Sequence, residues 1–323
     1  MTDSLVCLQL RVARKERLAQ DIALFELVAP DGGALPLFSA GAHIDVTTPG
    51  GYIRQYSLCN DPAESHRYQI AVLRDAQGRG GSRAMHDAVN VGDIVAASVP
   101  RNHFPLIPQV HTALLLAGGI GITPLISMAE RLSAIRQPFS LHYVARSIDR
   151  MAFRDRLAQS SYADKVFLHV DDGPPEQRLD IAGLLQAVHT DVHIYVCGPQ
   201  GFMDAVLSTA QRYGWPQAQL HHEFFGAAPT RTDADSSFDV QLASSGRVIR
   251  VAADQTVTQA LATAGVVVPT SCEQGVCGTC LTGVLNGEPD HRDLYLTAEE
   301  QAANRQFIPC CSRARSARLV LDL

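Results

Sequence analysis

The chain has 323 residues, 46% of them hydrophobic and 19% charged, and a net charge of -6. That length is too great for one ordinary domain, and the mildly acidic, globular composition gives no reason to expect nucleic-acid binding. No apolar run is long enough to span a membrane, and Met1–Gln20 carries Arg11, Arg14, Lys15 and Arg17 where a signal peptide has its apolar core, so a cytoplasmic protein without a membrane partner is expected.

From Leu5 to about Pro105, short alternating runs (Ile22–Val28, His43–Thr47, Tyr68–Leu73, Asp93–Ser98) are broken by Gly, Pro and Asp. This is the pattern of a small antiparallel β-barrel, assigned to residues 1–106. It contains Arg54-Gln55-Tyr56-Ser57-Leu58, which by itself is ordinary barrel sequence. Gly78-Arg79-Gly80-Gly81-Ser82 stands before a helix starting near Arg83, a turn suited to an anion such as phosphate. A short connection, Leu106–Val110, leads onward.

From Thr112 the pattern changes to apolar runs (Ala113–Ala117, Ser140–Val144, Val166–Val170, His193–Cys197) separated by amphipathic stretches such as Leu125–Arg136 and Gly201–Tyr213. That alternation predicts a parallel-sheet α/β domain over 107–226. Gly118-Gly119-Ile120-Gly121-Ile122-Thr123-Pro124 follows the first run and opens a helix, where a strand-to-helix turn cradles a pyrophosphate. It departs from the usual dinucleotide fingerprint: Pro124 takes the third glycine's place, and Arg146 rather than an acid ends the next strand. Cys197-Gly198-Pro199-Gln200 ends another strand before another helix, so both turns face one edge of the sheet. A buried strand-end thiol without a role is the plain alternative for Cys197. His222-Glu223-Phe224-Phe225-Gly226 closes the domain, and the adjacent His221 and His222 read as packing or solvent-facing residues.

Residues 227–237 are Ala, Pro, Thr, Asp and Ser with hardly an apolar side chain, as in a linker. The last domain, 238–323, opens with Phe238–Leu242 and Arg247–Val251 around Ser244-Ser245-Gly246, a hairpin signal, then a helical Val257–Ala264 and a final strand Arg318–Leu323. Five of the eight cysteines fall within 272–311. Cys272, Cys277 and Cys280 have C-x4-C-x2-C spacing, with Cys310 as a fourth, the arrangement of a plant-type [2Fe-2S] centre. Gly275 and Gly278 let the backbone approach the sulfides. A four-cysteine zinc site and a dithiol pair at Cys277 and Cys280 are alternatives that explain neither the x4 spacing nor the glycines. Cys311 adjoins Cys310; one of the two binds iron while the other packs as a small apolar residue, and spacing favours Cys310.

On these motifs the last domain resembles β-grasp plant-type ferredoxins. The two before it resemble the ferredoxin-NADP reductase superfamily in its FMN-binding form. In that resemblance Arg54 pairs with phosphate, Tyr56 lies against the isoalloxazine and Ser57 bonds near N5. Gln55, Ala71, Leu73, Gly80, Gly81 and Ser82 complete the flavin set. Gly118, Gly119, Gly121, Thr123, Pro124, Arg146, Gly198 and Pro199 form the nucleotide site, with Cys197 beside the nicotinamide. Phe225 covers the flavin face, core packing being the competing reading for it or for Phe224. Ser57, Cys197 and Phe225 are the catalytic candidates.

Nicotinamide gives up electrons in pairs and a [2Fe-2S] cluster takes them singly, so a flavin between them is required. The domain order resembles the phthalate dioxygenase reductase and vanillate O-demethylase reductase family over essentially the whole chain. This implies an NADH-dependent reductase, expected as a monomer, that feeds a separate Rieske-type terminal oxygenase. Arg146, with Ser147 and Arg150 near it, leaves NADPH open. The rival readings are a reductase for a cytochrome P450 or a ferredoxin, and a non-catalytic redox sensor.

Overall fold

The structure is a computed structural model that describes residues 7–76, 78, 80–108, 111–226, 232 and 235–323. It divides into two compact units, Met1–Phe225 and Gly226–Leu323. Most of the expected linker, and Arg79 of the glycine-rich turn, lie outside the described residues. Among the described residues no helix is long and apolar enough to cross a membrane.

The first unit begins with six strands, β1 (Cys7–Ala19), β2 (Ile22–Val28), β3 (His43–Thr47), β4 (Ile53–Ser57), β5 (Tyr68–Leu73) and β6 (Ile94–Ser98), and one helix, α1 (Gly81–Ala88). All pair antiparallel in the order β4-β3-β6-β1-β2-β5. A bridge between Leu58 and Ile70 ties the two edges together, closing the sheet into a barrel. Alternate residues point inward, so Leu10, Val12, Phe25, Leu27, Ile44, Val46, Ile70 and Val72 fill the interior. Strand β1 does not show in the apolar pattern because Arg11, Arg14, Lys15 and Arg17 break it; two register shifts, at Val12/Arg14 and Arg17/Ala19, interrupt its pairing with β2.

The same unit continues with β7 (Thr112–Gly118), α2 (Ile122–Ala134), β8 (Phe139–Ala145), α3 (Arg154–Ala158), β9 (Val166–Val170), α4 (Ile181–Leu185), β10 (Val192–Cys197), α5 (Gln200–Arg212) and β11 (Leu220–Glu223). The five strands are all parallel, in the order β11-β10-β7-β8-β9. The chain moves outward from β7 to β9, then crosses to the other side of β7 for β10. Between β7 and β10 lies a topological switch point, the place where an open α/β sheet leaves a crevice at its carboxyl edge. Helix α2 covers one face through Leu125, Ile126 and Ala129, and α5 the other through Met203, Val206 and Ala210. Barrel residues Ile22, Leu24, Cys59 and Ala71 share a core with α2. Arg156 of α3 reaches from Glu130 (2.9 Å) to the Cys59 carbonyl (2.9 Å), fastening the two sheets.

The second unit contains β12 (Phe238–Leu242), β13 (Val248–Val251), α6 (Val257–Thr263), β14 (Thr282–Asn286), β15 (Pro289–Asp290), α7 (Ala298–Ala303), β16 (Gln306–Phe307), β17 (Arg313–Ala314) and β18 (Arg318–Leu321). Its main sheet is mixed, β13-β12-β18-β14-β16, with β12 and β18 parallel. Val257, Ala260 and Leu261 of α6 pack onto it, giving the β-grasp arrangement. Reciprocal capping boxes start both helices, Thr256 with Gln259 and Thr297 with Glu300. Between α6 and β14, residues 269–281 form no regular element, which frees that stretch to wrap a metal centre.

Candidate active site and metal centre

At the switch point the two predicted turns abut. Ala117 and Cys197 are register partners at the ends of β7 and β10. A Cβ on Gly121 would sit 2.2 Å from the Cys197 carbonyl oxygen, and one on Gly198 2.9 Å from Gly118 Cα. The sequence suggests these glycines make room for phosphate; the structure shows that Gly121 and Gly198 are first required by contact between the turns. Gly119 has φ +53° and no atom within 4 Å of its would-be Cβ, so its backbone faces open space. Thr123 is buried with its hydroxyl on the Ile120 carbonyl (3.1 Å), and Pro124 is buried in α2. Their side chains are thus committed within the turn and helix rather than open to a ligand. Arg146 is exposed at the end of β8, while Arg150 is paired with Asp21 (3.5 Å).

Ser57, at the end of β4, is brought from the barrel to this edge. Its hydroxyl bonds Glu223 Oε2 at 3.4 Å across 166 residues of sequence. Glu223 in turn pairs in register with Cys197. Burial raises the Glu223 carboxyl to about 8, opposed by the Ser57 hydrogen bond, so the group holds a proton at neutral pH. Burial, then the neighbouring Glu223, pushes the Cys197 thiol well up, which fits a wall residue rather than a nucleophile. The sequence reading assigned Glu223 no role; an acid at the end of an edge strand carries no local signal until its neighbours are known. Phe224 packs with the α5-side core, and Phe225 is 38% exposed.

The flavin candidates divide by side. Arg54 lies against the start of α1, where a Cβ on Gly81 would be 2.8 Å from its Nε, and Tyr52 stacks on its guanidinium at 5.2 Å. Gly80 precedes α1 with φ +102° and no side-chain cap, and the first turn of α1 has no acid, so its leading N–H groups and Arg54 form an anion cradle. Ser82 Oγ accepts the Asp75 amide (3.1 Å). Tyr56 Oη is buried without a hydrogen-bond partner among the described residues, a vacancy that a polar ligand would fill. Gln55 instead meets His43 at 3.3 Å, Ala71 is buried in the core shared with α2, and Leu73 is 37% exposed. The residues present fit a flavin phosphate at α1 and a ring edge at Ser57.

In the second unit Cys272, Cys277, Cys280 and Cys310 are all buried. The Cys272 sulfur is in hydrogen-bond contact with those of Cys277 and Cys310 and accepts the Gln274 amide at 3.3 Å. The Cys311 sulfur points to the Ile308 carbonyl (3.6 Å) and to Gly275. Gly275 and Gly278 have φ +76° and +71°, and a Cβ on Gly278 would enter the Tyr295 ring at 2.2 Å. Left-handed backbone and close approach together exclude other residues there. Ser271 Oγ, beside Cys272, is buried and has no partner among the described residues, as suits a site built for an anionic group. Among the described residues no three His, Cys, Asp or Glu groups converge on one metal ion, whereas a two-iron core needs two pairs of thiolates.

Comparison with known proteins agrees with this division. Residues 240–315 match the 2Fe-2S iron-sulfur cluster binding domain, and residues 115–208 the oxidoreductase NAD-binding domain. Vanillate O-demethylase oxidoreductase of a Pseudomonas species is 55% identical over 306 residues, covering 95% of this chain and 96% of that protein. Phthalate dioxygenase reductase of Burkholderia cepacia is 43% identical over 317 residues, covering 98% and 97%. The chain belongs to this family of oxygenase reductases. The solved structure of phthalate dioxygenase reductase, described as carrying electrons from pyridine nucleotides to [2Fe-2S], superposes with a TM-score of 0.79 at 43% identity, covering 98% of both chains. An intact self-sufficient cytochrome P450 monooxygenase superposes with a TM-score of 0.83 at 41% identity, covering 98% of this chain but 41% of that one. The oxygenase reductase is thus an oxidoreductase with nicotinamide and [2Fe-2S] domains, and family membership implies FMN as its flavin.

Proposed function

We propose that this chain takes hydride from NADH onto FMN and releases electrons one at a time, through its [2Fe-2S] cluster, to a Rieske-type terminal oxygenase. The observation that carries the reading is the meeting of Ser57, Cys197 and Glu223 at the switch point of the parallel sheet. FMN supplies the conversion of a two-electron donor into one-electron steps. Arg54 and the N-terminus of α1 hold its phosphate, Tyr56 lies against the ring, and Ser57 orients toward its redox edge. The turns at 118–124 and 197–200 hold the nucleotide, Cys197 walls the nicotinamide, and Phe225 covers the face that the nicotinamide must reach. Glu223 keeps a proton at neutral pH and accepts the Ser57 hydroxyl on Oε2. Cys272, Cys277, Cys280 and Cys310 hold the cluster, supported for Cys310 by its contact with Cys272 and by Cys311 packing against Gly275. The domains are 1–106, 107–226 and 238–323, joined by 227–237.

NADH and NADPH compared by kcat/KM, with cytochrome c as acceptor, test the donor; NADH is expected to be preferred despite Arg146. Flavin release and mass analysis test FMN, and absence of a bound flavin would sink the reading. The fit to a self-sufficient P450 supports a second reading in which a haem protein is the acceptor. Product formation with a purified vanillate O-demethylase oxygenase component, but not with a P450 haem domain, decides for the first.

A further inference from the structure

The end of α1 opposite its anion cradle is held by a lysine from a distant strand. Lys15 Nζ donates to the His86 carbonyl, in the last turn, at 2.6 Å and to the Val89 carbonyl, at the C-cap, at 2.7 Å. A register shift in β1 aims this side chain. Val12 stands opposite Leu27 and, past the shift between Val12 and Arg14, Lys15 stands opposite Phe25; Leu27 and Phe25 both lie in the barrel core. With unbroken alternation Arg14 would take the inward place, but Arg14 stands opposite Glu26 and pairs with Glu16 in solvent at 2.6 Å. The Lys15 ammonium lies 5.5 Å from the Phe25 ring centroid, and His86 Nε2 is 2.8 Å from the Val72 carbonyl, a second tie on the same helix end. Asp87 of α1 is engaged by Arg74 at 2.8 Å.

Resting on the reading of α1 as the holder of the FMN phosphate, we propose that Lys15 is a positioning residue for that phosphate and acts on it through the helix. A helix carries about half a positive charge at its N-terminus and half a negative charge at its C-terminus. The eight residues of α1 span only about 12 Å, so a dianion at one end feels both. A cation on the last carbonyls cancels the negative end and leaves the positive end to act on the phosphate. The N-terminus itself has no acid in its first turn and no side-chain cap to compete. Lys15 therefore favours a phosphorylated flavin over the same ring without phosphate.

The test compares FMN with riboflavin on the full-length, flavin-free protein with its iron content checked, by quenching of flavin fluorescence. Lys15→Met is expected to raise the FMN dissociation constant about fivefold and to leave that of riboflavin at the wild-type value. Lys15→Gln, which keeps a donor for the carbonyls but no charge, should behave like Lys15→Met, and Lys15→Arg like wild type. Thermal melts of the flavin-free proteins identify a variant that does not fold, and the remaining two then carry the comparison. Equal weakening of FMN and riboflavin would mean a general disturbance of the barrel and overturns the proposal. So does unchanged FMN affinity in Lys15→Met, wild-type affinity in Lys15→Gln, or Lys15→Arg falling as low as Lys15→Met. A wild-type protein that binds riboflavin as tightly as FMN would instead refute the phosphate cradle itself, before any variant is made.

Discussion

The residue that tertiary structure adds to the site is Glu223. Its carboxyl is raised from the ordinary range to about 8 by burial, so the folded chain holds one more proton than the unfolded chain between those values. Stability from this group is complete at low pH and falls as pH rises from roughly 4.5 toward 8, by on the order of 4 kcal/mol. Thermal melts of wild type across that window should show the fall, and Glu223→Gln should flatten it. Flavin reduction by NADH should slow in Glu223→Ala by roughly 10–100-fold, through loss of the acceptor that orients the Ser57 hydroxyl, and stay near wild type in Glu223→Gln, as measured by anaerobic stopped flow. At the other end of the chain, Cys277→Ser should abolish delivery to the oxygenase while leaving NADH reduction of the flavin largely intact; equal loss of both would refute the separation of roles. The four cysteines stand out as a candidate ligand set before any fold is known because three of them lie on one short loop. Glu223 does not, because its partner Ser57 is 166 residues away.

At the scale of elements, most boundaries follow from local pattern. The runs Ile22–Val28, His43–Thr47, Tyr68–Leu73, Val166–Val170 and Phe238–Leu242 are strands with those ends. Helix α2 begins at Ile122, three residues before the amphipathic stretch that marks it, because Pro124 is tolerated in a helix's first turn. Strand β1 is hidden by four cations: Arg11, Arg14 and Arg17 are exposed, and Lys15 donates to the His86 and Val89 carbonyls. The glycine-rich turn makes a sharper prediction. Gly121→Ala would drive a methyl group into the Cys197 carbonyl, forcing β7 and β10 turns apart, and should raise KM for NADH at least about tenfold while costing roughly 1–3 kcal/mol of stability. A KM within twofold of wild type would show that the turns are not the nucleotide site.

At the scale of the molecule, one apolar cluster joins the barrel to the parallel sheet, whereas the [2Fe-2S] unit is built on its own. Limited proteolysis should therefore yield a larger fragment retaining flavin and a smaller one retaining iron. Iron in the larger fragment would contradict the assignment. By itself the sequence determined the cofactor set, since cluster ligands, phosphate turns and hydrophobic periods are written over a few consecutive residues. Only the tertiary structure decided that Ser57, Cys197 and Glu223 meet, that Phe224 rather than Phe225 enters the core, and that Gly121 is demanded by a neighbouring turn. Those facts depend on which strand ends the crossover at β7 brings together, and no local spacing encodes them.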